Sequence, residues 1–304
     1  MVISFELFIV ILILAGAIIG IGVYFYVLAT YHTKPIPGNL IHAEYFKIPI
    51  GTEEKVIELE AKIIKSDYTP KNLAPCVLMC HGWHSSINGS KYLQEPLALY
   101  GYALVTYSSR GHGKSGGKRE FPQIYEDVIK VIDFLEQNSQ RFGIDLNRLA
   151  VIGHSMGANI SLTRAYLDTR VKMVVGISSF HDIKESFDKK AITTSMFWVK
   201  LLLRGSGLNV NLTSDLNQLS SPKYYLQRPS KAQVFLIHAK DDRFIEFHNF
   251  EKNIALLHLP ADHTLVFEKG GHSLYHLECM IVAQIIKWLN QTDNMRSDNL
   301  GQPP

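Results

Sequence analysis

Apolar residues follow three different patterns along this chain. From Leu7 to Ala29 they form one unbroken stretch, "LFIVILILAGAIIGIGVYFYVLA", with neither charge nor proline. From Ala43 to Ile50 and from Val56 to Ser66 they alternate with polar residues, in "AEYFKIPI" and "VIELEAKIIKS". A period of two predicts half-buried strands, paired antiparallel at the edge of a sheet. Solid apolar runs come next at Cys76–Cys80, Ala103–Ser109, Leu149–Ser155, Met173–Ser179, Val234–Lys240 and Thr264–Gly270. Strands apolar on both sides belong in a parallel sheet covered by helices on both faces. Helical periodicity between them supports that layering. Ile124, Val128, Val131, Ile132 and Leu135 make a 3.6-residue stripe within Phe121–Asn138, and Leu274–Leu289 is patterned alike.

One connection is too long for a simple crossover. About fifty residues separate the run ending at Ser179 from the one beginning at Val234, the expected sixth and seventh strands, and they include "TTSMFWVKLLLRGSG". They predict a helical cap over roughly residues 180–230, where Phe197, Trp198 and Leu201 to Leu203 pack on the domain or line an apolar pocket. The tail 291–304 is polar and predicted to be disordered.

The N-terminal run changes the picture of where the domain sits. Its 23 residues would span about 34 Å as a helix, enough for a hydrocarbon core of about 30 Å. The segment before it carries Glu6 and no basic residue, unlike a signal peptide, although Val27-Leu28-Ala29 could pass for a cleavage site and a cleaved signal peptide stays the alternative. The expected organisation is therefore a membrane anchor at 1–31, a tether at 32–42 and a folded domain at 43–290, with membrane sidedness open.

Composition narrows the class further. A hydrophobic fraction of 46%, a charged fraction of 19% and a formal charge of +3 describe a globular protein with a sizeable core. Such a charge implies no nucleic-acid partner. Three cysteines are too few for a disulfide framework, and Cys76 and Cys80 on one strand stand about 13 Å apart, too far to bridge.

Candidate chemistry centres on Gly153-His154-Ser155-Met156-Gly157, between the apolar "LAVI" and the helical "ANISLTRAYL". A serine between glycines also suits a plain turn. In a strand–turn–helix, however, the glycines permit a close approach and the serine hydroxyl projects as a nucleophile. Two backbone N–H groups must then face the developing oxyanion. One belongs to Met156; the other, from the loop after an earlier strand, falls to Trp83 in His81-Gly82-Trp83. The base and its orienting acid come later in the chain, in the order acid, then histidine. Asp241 and Asp242 end one late strand, and His272 stands after the last strand behind two glycines. Its neighbour His276 is expected inside the final helix. Asp182 is a more distant candidate acid, and His81, His112 and His154 are expected to brace loops. Arg110, Lys114, Lys118 and Arg119 form a basic loop, either solvated or drawn to anionic lipid headgroups.

These pieces, together with "SRGHGKS" at Ser109–Ser115 and "IHAKDD" at Ile237–Asp242, resemble the α/β-hydrolase superfamily. Within it they are most similar to the monoglyceride lipase and serine aminopeptidase group. The resemblance covers roughly Glu44 to Leu289 and implies that fold, with Ser155, Asp242 and His272 as catalytic triad. The family's spacing puts the acid on Asp242 ahead of Asp241. Two departures stand out: Ala239 replaces a glycine, and Ser108 replaces an aspartate two residues before Arg110. The resulting expectation is a membrane-anchored serine hydrolase that cleaves carboxylic esters, including lipid acyl esters, and needs neither cofactor nor metal. An aminopeptidase-like amidase and a non-catalytic binding domain are the alternatives. Oligomeric state is open.

Overall fold

The computed structural model describes residues 40–52, 55–190 and 214–292. Eight strands form one sheet: β1 (Ile41–Thr52), β2 (Lys55–Ser66), β3 (Ala74–Cys80), β4 (Ala103–Tyr107), β5 (Ile144–His154), β6 (Val171–Ile177), β7 (Gln233–Ala239) and β8 (Thr264–Phe267). Their spatial order is β1-β2-β4-β3-β5-β6-β7-β8. The two alternating segments pair antiparallel from Ile41↔Ser66 to Thr52↔Lys55, and β2 runs antiparallel to β4. Every pairing from β4 through β8 is parallel.

Successive side chains on the parallel strands feed two separate cores, which is why those strands are apolar throughout. Cys76, Leu78, Val105, Leu149 and Val151 enter one core with Val128, Val131, Ile132 and Leu135 of α2 (Gln123–Gln137). Val77, Met79, Leu104, Ala150 and Ile152 enter the other with Leu93 and Leu97 of α1 (Lys91–Leu99) and Ile281, Ile285 and Trp288 of α8 (Glu278–Gln291). The short α3 (Ser139–Phe142) leads into β5, and α4 (Met156–Ile160) leaves it. The last helix begins later than its periodicity suggests. Leu274 and His276 hold φ of 53° and 63°, outside helical geometry, so His276 lies in a turn and not in the helix.

The helical insertion lies between β6 and β7. Its described parts are α5 (Ile183–Lys190) and α6 (Ser214–Ser220). They are joined where Ser221 Oγ accepts the Ile183 N–H and Asn217 Oδ1 accepts the Lys184 N–H, both at 2.9 Å. Residues 191–213, with the apolar cluster at Phe197–Leu203, lie outside the described residues. Then α7 (His248–Leu257) precedes β8.

The transmembrane expectation is corrected. Among the described residues no helix is long and apolar enough to cross a membrane, and Leu7–Ala29 lies outside them. An apolar run records only a tendency to leave water, and that tendency does not by itself make a membrane span. No membrane anchor, membrane localisation or membrane partner is therefore assigned to this chain.

Candidate active site

The turn from β5 into α4 is close-packed and strained. Ser155 sits at φ 57°, ψ −117°, a conformation a non-glycine residue holds only when its surroundings enforce it. Its N–H donates to the Ile177 carbonyl at 2.9 Å. Both flanking glycines are sterically required. A Cβ on Gly153 would lie 2.1 Å from the Gly157 oxygen, and one on Gly157 would lie 1.9 Å from the Cys80 oxygen. The serine is thereby pushed out of the ladder, with its side chain at the ends of the parallel strands.

Ser155 Oγ lies 3.0 Å from His272 Nε2, and His272 Nδ1 lies 2.9 Å from Asp242 Oδ2. A carboxylate only accepts, so Nδ1 carries the proton and Nε2 is left to accept from the serine hydroxyl. The other oxygen of Asp242 accepts the N–H groups of Phe244 and Ile245 at 2.8 and 2.9 Å. Burial alone would raise the Asp242 carboxyl. The hydrogen bond and charge of His272, and then the Ile245 N–H, outweigh burial and hold it below its ordinary value.

The other candidate acids are committed elsewhere. Asp241 Oδ1 accepts the Gly271 N–H at 2.8 Å, tying down the loop that carries His272. Gly271 has φ 58°, which is the reason for glycine there. Asp182 pairs with Lys223 and accepts from Asn217 Nδ2 at 2.9 Å and the Glu185 N–H at 3.0 Å, at the base of the insertion.

The loop after β3 approaches Ser155 from the other side. A Cβ on Gly82 would stand 3.5 Å from Ser155 Cβ. His81 Nδ1 donates to the Gly82 carbonyl at 2.7 Å, while its Nε2 accepts the Ser109 N–H at 2.9 Å. That bond holds the peptide unit whose N–H belongs to Trp83. Burial pushes the His81 ring down to about 4, so it braces two loops as a neutral imidazole. Met156 opens α4, where a backbone N–H has no intrahelical partner.

Glu60, which the sequence does not mark, explains the Ser108 departure. Its Oε2 accepts from Ser108 Oγ at 3.1 Å and from the Lys114 N–H at 3.0 Å. Ser108 Oγ in turn accepts the Ile87 N–H at 3.0 Å. A carboxylate therefore does stand at this loop, delivered from β2. The basic loop is not uniformly solvated: Arg110 makes a two-pronged pair with buried Asp127, through Nε to Oδ2 at 2.6 Å and through Nη2 to Oδ1. Arg119 lies over the Trp83 ring, which stacks parallel on Phe121 at 5.6 Å. Phe244 packs 4.9 Å from the His272 ring. Among the described residues no three His, Cys, Asp or Glu side chains are grouped to hold a metal ion.

A mostly parallel sheet with helices on both faces, a helical insertion after β6 and a strained serine between two glycines define an α/β-hydrolase. The pattern of the family "Serine aminopeptidase, S33" matches residues 71–224. The chain belongs to this family and so to the serine hydrolases. It is 32% identical over 114 residues to a protein named hydrolase acrC from Aspergillus aculeatus, a match over 36% of this chain and 26% of that one. The chain spans only 26%, 29% and 52% of the length of three curated relatives. Among solved structures, an acetyl xylan esterase from Paenibacillus sp. R4 superposes with TM-score 0.59 at 18% identity, over 84% of this chain and 86% of that one. An acylaminoacyl peptidase from Pyrococcus horikoshii gives 0.63 at 18% identity, over 84% and 42%. At these identities the likeness is one of fold.

Proposed function

We propose that this chain hydrolyses an acyl bond through Ser155, with His272 as base, Asp242 as its orienting acid and an acyl-enzyme intermediate. The continuous chain from Ser155 Oγ to His272 to Asp242, at 3.0 and 2.9 Å, carries this reading. His272 Nε2 takes the serine proton as Oγ attacks the carbonyl carbon, and Asp242 stabilises the imidazolium that forms. The N–H groups of Trp83 and Met156 hold the oxyanion, each worth on the order of 3 kcal/mol in the transition state. The imidazolium then protonates the leaving group, and a water deprotonated by the same nitrogen releases the acyl group.

The family description favours an aminoacyl or peptide amide as the bond cleaved. A second reading, ester hydrolysis, has one observation behind it. An aminopeptidase site holds the substrate's ammonium with a carboxylate, yet Asp182 and Glu185 at the base of the insertion are taken by Lys223 and Lys252.

An aminoacyl amide and acyl esters of graded length, assayed with the wild type and Ser155→Ala, test both. The expected loss in the variant is roughly 10⁴-fold or more in kcat on whichever substrate turns over. Unimpaired turnover by Ser155→Ala, or no labelling of Ser155 by a fluorophosphonate, overturns the triad reading.

A further inference from the structure

The residue before the nucleophile is held inside the site but takes no part in the acyl-transfer steps. Three segments meet on His154: the turn that carries it, the glycine loop after β3 and the loop of His272. Its Nε2 lies 2.9 Å from the carbonyl oxygen of His272, and the two rings are 5.0 Å apart. Since a carbonyl oxygen only accepts, Nε2 carries the proton and donates. On the opposite side, a Cβ at Gly82 would stand 3.5 Å from His154 Nδ1.

The loop of His272 is held at its ring by Asp242 and at Leu274 by burial in the core, but its backbone at His272 lies outside the sheet. Strand pairing of β8 ends at Phe267, five residues earlier. Residues 271–276 form turns, with Gly271, Leu274 and His276 all at positive φ. Besides the Asp241 contact to Gly271, the His272 carbonyl has one further donor, Ser178 Oγ, at a longer 3.4 Å.

We infer that His154 is a positioning residue that sets the spacing between nucleophile and base, an inference that rests on Ser155 and His272 holding those roles. Its backbone is bonded directly to Ser155 while its side chain holds the backbone of His272. A shift of the histidine loop away from the serine turn must stretch or break that bond, along with the longer Ser178 contact and the Ser155–His272 bond itself. Catalysis is sensitive to such a shift, because a misplacement of about 1 Å can cost 10²-fold in rate. Burial, then the adjacent His272, push the His154 ring down to about 4, so it donates as a neutral imidazole.

The test compares kcat and KM for the wild type, Ser155→Ala, His154→Phe and His154→Gln on one substrate, with circular dichroism to confirm folding. Phenylalanine keeps the ring but cannot donate; glutamine keeps a donor at similar reach. For His154→Phe the expected result is a kcat lowered about ten- to a hundredfold with KM within about twofold, and His154→Gln regains most of that loss. Equal kcat in His154→Phe and the wild type, or equal impairment of the folded Phe and Gln variants, overturns the inference. Should His154→Phe not fold, His154→Asn replaces it, one methylene too short to reach the carbonyl; a kcat matching that of His154→Gln then overturns it. Turnover by Ser155→Ala would instead remove the site reading itself.

Discussion

At Asp241 and Asp242 the backbone turns so that neighbouring carboxylates take different partners. Asp242 faces the His272 ring and two backbone N–H groups, whereas Asp241 faces the Gly271 N–H. Replacing Asp242 by Asn puts an amide against Nδ1 and favours the wrong tautomer, so kcat is expected to fall roughly 10⁴-fold. In Asp241→Asn the side-chain oxygen still accepts from Gly271, and kcat is expected to stay within a few-fold of the wild type. Steady-state kinetics on one substrate separates the two, and equal losses would contradict the assignment. Chain order alone does not separate these aspartates, because both come after the same strand; the family's spacing points to Asp242. Which carboxylate reaches the histidine is decided by the route of the backbone through Phe244 and Ile245.

Among elements, β2 does more than close one edge of the sheet. Its Glu60 serves the loop after β4, although 48 residues separate it from Ser108. In sequence it reads as an outward residue of an alternating strand, so Ser108 looks like a lost carboxylate. Only the antiparallel register, with Ala61 opposite Tyr107, brings the two together. Glu60→Ala is expected to lower stability by on the order of 2 kcal/mol through lost charge-assisted hydrogen bonds. Adding Ser108→Asp to that variant should recover most of the loss, whereas Ser108→Asp alone sets two carboxylates side by side and destabilises. Denaturant midpoints of the three variants check this, and additive losses would refute it. Local rules also hide α1, because Pro96 lies inside it. They set the start of α8 too early, because the positive-φ turn at Leu274 and His276 interrupts an apolar pattern without breaking it.

For the molecule as a whole, two imidazoles, buried His81 and half-buried His154, tie stability to pH. His81 and His154 are each pushed from 6.5 down to about 4, chiefly by burial. Between those values the unfolded chain binds protons that the folded chain does not, so their contribution is full above about 6.5 and is lost as pH falls toward 4. Asp242, held below its ordinary value, adds a contribution present above the unfolded carboxylate range and lost at still lower pH. Urea midpoints should therefore decline from pH 7 to pH 4.5, by a few kcal/mol in all, and a flat profile would contradict these environments. The layered sheet is legible in sequence because solid apolar runs between helical stripes have few other uses in a folded core. The N-terminal run Leu7–Ala29 lies outside the described residues, so the layered sheet says nothing of it.

The sheet order also has a consequence in time. Ser155 leaves a central strand, but its partner His272 comes after the last and outermost one, 117 residues later. At about 5–20 residues per second, roughly 6–23 s of synthesis separate the two. During that interval the growing chain carries its serine with no base beside it. With His272 as the proposed base, the serine cannot attack acyl groups around the ribosome, and the nucleophile is armed only when the final strand has been laid down.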